Sequence, residues 1–218
     1  MVEWFKNHKY VLIVPAYGLF YCISFVILEM NLPESFAIIH TKLDDMIPFN
    51  EIFIIFYYLW FAYMAVSFYI IIVGTKETFM KTAFFLMTGM TAFIIISAVF
   101  PNGHDLRPVS FARDNIFVSL TKYIYSLDPP RNILPSIHVF NSWGSHLGLV
   151  CAVREHEKLS NKKWIPLVSL MVSILITIST LFVKQHSVVD VISAILLSII
   201  CYYLFFICRL HESVCCKQ

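Results

Sequence analysis

The chain has 218 residues, 59% hydrophobic and 14% charged, with a net charge of +2 and a mean hydropathy of +0.75. This balance excludes an ordinary soluble domain of that length. The scattered basic residues also give no footprint for a nucleic-acid surface. A spanning helix takes about 20 mostly apolar residues, and six stretches qualify, at roughly 10–29, 51–73, 79–99, 137–153, 165–183 and 187–208. The pattern predicts an all-α polytopic membrane protein, a six-helix bundle that uses residues 1–218 as a single domain with the bilayer as its solvent.

Lys6 and Lys9 precede the first apolar run, but no small-x-small cleavage site follows it, so a retained span is expected rather than a signal peptide. In the connection at 30–50, Phe36, Ile39, Leu43 and Ile47 are spaced to put an apolar stripe on a short helix lying on the membrane surface. The connection at 74–78 is short and polar, which makes spans two and three antiparallel neighbours. The connection at 101–134 is long and carries Arg107, Arg113, Lys122 and Arg131. Within it Ile116, Leu120, Ile124 and Leu127 recur at helical spacing, predicting an amphipathic interfacial helix that Asp128, Pro129 and Pro130 end.

With the N-terminus inside, ten of the sixteen basic residues fall in cytoplasmic segments, among them Lys76, Arg154, Lys162, Lys163 and Arg209. Both termini are therefore expected to be cytoplasmic, with the plasma (inner) membrane as the location. Four cysteines fall in or at the ends of spans and Cys215 and Cys216 sit in the tail, a distribution that does not suit a disulfide framework.

This topology gathers three clusters at one end of the bundle, on the extracytoplasmic face: Arg107-Pro108, Pro135-Ser136-Ile137-His138, and Lys184-Gln185-His186 with Asp190. His186 and Asp190 are four apart, so on a helix the carboxylate meets one ring nitrogen and leaves the other free to attack phosphorus. The plainer reading is a buried His–Asp pair that satisfies itself. His138 opens the fourth span, where free N–H groups and the helix dipole favour an anion, and it is placed to protonate a leaving alkoxide. Ser136 adds a hydroxyl, Arg107 a planar fork for phosphate oxygens, and Lys184 a point charge. Two histidines and an aspartate also suit zinc, but the neighbouring cations fit an anionic substrate better. No metal or cofactor is expected, and the sequence assigns no oligomeric state.

These clusters resemble the three-part signature of the type 2 phosphatidic acid phosphatase superfamily: Lys-x6-Arg-Pro, Pro-Ser-Gly-His and Ser-Arg-x5-His-x3-Asp. Arg107-Pro108, Pro135-Ser136-x-His138, and Ser179 through His186 to Asp190 match in order and spacing. Phe100, Ile137 and Thr180 stand where the signature has Lys, Gly and Arg. The Lys-Gln-His form is similar to a branch that includes inositol-phosphoceramide and sphingomyelin synthase-like proteins. The resemblance implies metal-independent cleavage of a phospholipid or isoprenyl (di)phosphate through a phosphohistidine on His186, with His138 as acid. Two alternatives stand beside it: transfer of a phosphoalcohol headgroup to a lipid alcohol, and a catalytically silent lipid-binding protein.

Overall fold

The computed structural model describes residues 8–31, 33 and 35–208. Lys6, Arg209, Cys215, Cys216 and the placement of both termini lie outside the described residues. Among the described residues there are eight α-helices. These are α1 (Ile13–Met30), α2 (Lys42–Met46), α3 (Ile54–Ile72), α4 (Lys76–Val99), α5 (Ile116–Leu127), α6 (Ile137–Glu155), α7 (Trp164–Phe182) and α8 (Val188–Tyr202). A 3-10 turn enters α1 and another, Glu51–Phe53, enters α3, while a π turn, Tyr203–Ile207, extends α8.

Helix starts follow local chemistry. The first N–H groups of a helix have no intrahelical acceptor. Side-chain oxygens of Thr75, Asn115 and Ser136 accept from Thr78, Val118 and Val139, opening α4, α5 and α6. Ser187 and Asp190 form a reciprocal capping box at α8.

Five helical segments, Lys9–Met30, Glu51–Ile72, Lys76–Val99, Trp164–Phe182 and Val188–Ile207, have the length and apolar composition to cross a bilayer. The chain is an integral membrane protein. Helix α1 buries none of its residues and exposes Leu19, Phe20, Ile23, Val26 and Ile27, a surface stable only against lipid.

Helix α6 has 19 residues but is not among those five, because Asn141, Ser142, Ser145 and His146 dilute its apolarity. It packs against α3, α4, α7 and α8, at the centre of the bundle. A helix so enclosed needs small residues for close approach more than it needs apolar ones for lipid. A Cβ added at Gly144 would come within 2.5 Å of the Phe85 ring, and one at Gly148 within 2.3 Å of Thr82 Oγ1. Across the same seam, Phe140 lies over Gly89, where a Cβ would come within 2.0 Å of its ring.

Two connections differ from expectation. Residues 35–50 do not carry a helical stripe from Phe36 to Ile47. Ala37–Ile38 (β1) instead pairs in parallel with Asn102–Gly103 (β2), and only α2 is helical. The Thr41–Asp44 capping box starts α2 at Lys42. Upstream, the extended chain donates its N–H groups to loop 101–103, from Ala37 to Pro101 at 3.0 Å and from Ile39 to Gly103 at 2.7 Å.

Helix α5 has the expected bounds but a rotated face. Val118, Thr121 and Ile124 are buried, while Ile116 and Leu127 from the expected stripe are exposed. The rotation follows from packing of α5 on α3 and its entry turn, where Glu51 accepts from Asn115 at 3.1 Å and pairs with Arg113 at 3.2 Å.

Candidate active site

The ends of α4, α6, α7 and α8 are stitched together by backbone and amide contacts. Asn102, just past α4, accepts the N–H groups of Ile133 and Leu134 at Oδ1, at 3.0 and 3.1 Å. The Ser136 N–H then donates to the Asp190 carbonyl at 3.2 Å, joining the start of α6 to the first turn of α8. Between α7 and α8 the chain turns sharply: Lys184 has φ 52°, and the N–H groups of Gln185 and His186 both donate to the Thr180 carbonyl. A non-glycine residue in this left-handed region is uncommon and needs support from its surroundings.

His186 lies in that turn, before the N-cap Ser187, and so not on the face of a helix as the four-residue spacing suggested. Its relation to Asp190 comes from the capping box. Asp190 Oδ2 accepts the Ser187 N–H at 2.8 Å and sits 3.4 Å from His186 Nδ1. The second contact is close enough for an ion pair but is not aligned as a hydrogen bond, and among the described residues Asp190 Oδ1 has no partner either. His138 stands in the first turn of α6, with its ring 4.6 Å from Tyr57, 4.7 Å from Trp60 and 5.7 Å from His186, centre to centre. Among the described residues its Nδ1 has no hydrogen-bond partner.

Both histidines line a cavity of about 320 Å³. Asp128, Arg131, Asn132 and Gln185 also line it, and much of the remaining wall is aromatic: Tyr21, Phe25, Tyr57, Trp60, Phe61 and Phe93.

The three expected phosphate ligands, Arg107, Ser136 and Lys184, are not part of this lining. Arg107 donates to the carbonyls of Tyr125 and Asp128 and to Gln185 Oε1, and it stacks 4.2 Å above the Tyr125 ring. Ser136 Oγ serves as the cap of α6. Lys184 Nζ donates to the Asp44 carbonyl at 2.7 Å. Burial lowers the pKa of both the Arg107 guanidinium and the Lys184 ammonium.

Four further residues organise the site without having been assigned a role in it from the sequence. The Gln185 side chain donates to Asp128 Oδ2 at 3.2 Å and to Tyr57 Oη at 3.3 Å, while receiving Arg107 on its other end. His104, 3% exposed, accepts the Leu106 N–H at Nδ1 (3.2 Å) and donates from Nε2 to the Gln185 carbonyl (3.1 Å). Burial, reinforced by His186 and Arg107 nearby, pushes its imidazole down to about 4. Burial pushes the Asp128 carboxyl upward, against the pull of His186 and Arg107.

Asp44, 2% exposed, accepts at its carboxylate from Thr41 N–H and Oγ1, Ser187 Oγ and Val188 N–H, all between 2.7 and 2.8 Å. Burial raises its pKa, but these hydrogen bonds outweigh it and hold the carboxyl below its usual value. In the sequence Gln185 stands between two motif residues, Asp128 ends the loop helix, His104 belongs to no comparable constellation, and Asp44 lies three after Thr41. Among the described residues, no group of three or more His, Cys, Asp or Glu side chains is placed to hold a metal ion.

Residues 105–212 match the family model of the PAP2 superfamily, and the chain belongs to that superfamily. Its members are phosphatases and phosphotransferases, which places this membrane protein among enzymes of phosphoryl transfer. The match takes in Arg107, His138, His186 and Asp190. No curated protein and no solved structure gave a match.

Proposed function

We propose that the chain is a metal-independent lipid phosphatase that cleaves a lipid phosphate ester through a phosphohistidine on His186. The observation that carries this reading is the pair of imidazoles 5.7 Å apart on the wall of one cavity, with the Asp190 carboxylate behind His186 Nδ1. A proton on Nδ1 facing Asp190 leaves the Nε2 lone pair free to attack phosphorus, and the carboxylate stabilises the imidazolium that results. His138 protonates the departing lipid alkoxide and then takes a proton from the water that releases phosphate. Arg107 acts from behind the site, through Gln185 and by its charge. In the same reading α6 is the fourth of six spans, both termini are cytoplasmic, and the cavity opens on the extracytoplasmic side.

The aromatic wall favours a second reading of the last step, in which a lipid alcohol replaces water as acceptor. The test is turnover of a panel of phosphatidate, phosphatidylglycerophosphate, isoprenyl diphosphate and phosphodiester phospholipids, in detergent with chelator, with and without diacylglycerol or ceramide. Turnover should fall at least about a thousandfold in His186→Ala. Turnover that needs the added alcohol selects the transferase reading. A folded His186→Ala protein with full activity would overturn both readings.

A further inference from the structure

Within the reading that His186 attacks a lipid phosphate, we infer that Arg131 is the side chain that binds the phosphate, in place of Arg107 and Lys184. A phosphate taken out of water into a largely apolar cavity needs a cation in the wall. Arg107 and Lys184 are outside the lining, and each is engaged elsewhere. Arg107 donates to the Tyr125 and Asp128 carbonyls and to Gln185 Oε1, and its charge acts on the Asp128 carboxylate. Lys184 donates to the Asp44 carbonyl, with the charges of Asp44 and Asp45 acting on it. Among the described residues, Arg131 is the only arginine or lysine that lines the cavity holding His138 and His186.

The chain around Arg131 is fixed on both sides. Its own N–H donates to the Pro129 carbonyl at 2.8 Å, the Pro130 carbonyl accepts the His104 N–H at 3.1 Å, and the Asn132 N–H donates to the Asn102 carbonyl at 2.6 Å. Glu29, in the last turn of α1, accepts from Arg131 Nε at 3.1 Å and from Asn132 Nδ2 at 2.7 Å. Arg131 is 39% exposed at its side chain, so this ion pair adds little stability. What it does is hold the guanidinium by one nitrogen. Among the described residues the two terminal amino groups have no hydrogen-bond partner, and their planar fork suits phosphate oxygens.

Asn132 makes the same corner fit a phosphate more closely. It lines the cavity, is 5% exposed, and among the described residues its Oδ1 has no hydrogen-bond partner. A buried acceptor left without a donor is costly, and the hydroxyl of a singly protonated phosphate monoester is such a donor. Arg131 for the charged oxygens and Asn132 for the hydroxyl thus complement the two kinds of oxygen on that group.

Two binding measurements on the purified full-length protein test this. Both use a short-chain phosphonate analogue of phosphatidate, whose carbon–phosphorus bond is not cleaved, beside diacylglycerol of identical chains. The first is tryptophan fluorescence titration, Trp60 being on the cavity wall. Arg131→Gln keeps a donor for Glu29 but loses the charge and the fork. It should weaken the phosphonate at least about tenfold and diacylglycerol less than about twofold. Lys122→Ala removes a positive charge that lies over Phe111, outside the cavity lining, and should change neither. Equal losses for the two lipids would make Arg131 a support of the loop only and overturn the inference. So would undiminished phosphonate binding in Arg131→Gln, or an equal loss in Lys122→Ala.

The second measurement leaves Arg131 in place and so decides the matter even where Arg131→Gln does not fold. The protein is labelled with phenylglyoxal and its arginine peptides are analysed by mass. The phosphonate should protect Arg131 but not Arg113, which is 70% exposed at its side chain, and diacylglycerol should protect neither. Arg131 labelled equally fast with and without the phosphonate overturns the inference. Protection by inorganic phosphate at lower concentration than by the phosphonate overturns its assignment to a lipid. Neither readout involves turnover, so turnover retained in His186→Ala would defeat the reading of His186 while these results still decide the role of Arg131.

Discussion

His104 holds the Gln185 carbonyl with its Nε2–H and takes the Leu106 N–H on Nδ1, so the fold uses only the neutral ring. Burial, together with the charges of His186 and Arg107 nearby, pulls the folded-state pKa down to about 4. Between about 6.5, the ordinary histidine value, and that depressed value, the unfolded chain binds the extra proton and the folded one does not. Stability from this residue is therefore complete above the ordinary value and is lost as pH falls through that window. Thermal melting in detergent should show Tm declining from pH 6.5 to 4, with a shallower decline and a lower neutral-pH Tm in His104→Gln. An identical pH slope in the variant would assign the loss to other groups. At this scale the spacing of His138, His186 and Asp190 was legible because motif chemistry is local. The partners of Arg107, Ser136 and Lys184 were not: sequence places a side chain at one end of a helix, but the turn at Lys184 and the loop carrying Asp44 decide what it meets.

The helices show the same division. Their starts were readable in outline, since Ser136, Asn115 and Ser187 are cap residues followed by apolar runs. The long connections were not readable, because β1 with β2, and Asp44 with α8, are pairings between segments far apart in the chain that no local period announces. The Asp44 carboxylate occupies the first N–H of α8 and the Ser187 hydroxyl, so α2 holds the turn that carries His186. Asp44→Ala leaves those buried donors unmet and should cost about 2–4 kcal/mol, read as a lower Tm in detergent together with reduced turnover. The neighbouring Asp45→Ala removes an exposed pair with His40 and should leave both unchanged. Equal effects of the two substitutions would mean that α2 does not support the site.

For the whole molecule, apolarity announced a membrane protein, and five helices carry that signature plainly. Helix α6 carries it least, because neighbouring helices rather than lipid surround it, and it presents His138 at its first turn. The site therefore forms where the most polar helix of the bundle meets the α7–α8 turn. That arrangement supports the proposed pairing of a histidine acid with a histidine nucleophile across one cavity, a chemistry that requires a covalent bond between phosphorus and His186. The measurement that tests this most directly is rapid alkaline quenching of the protein during turnover, followed by mass analysis of the peptide bearing His186. An acid-labile phosphoryl or alkylphosphoryl adduct is expected on His186 and is absent from His186→Ala. Product formation with no adduct on His186, or an adduct on another residue, would contradict it.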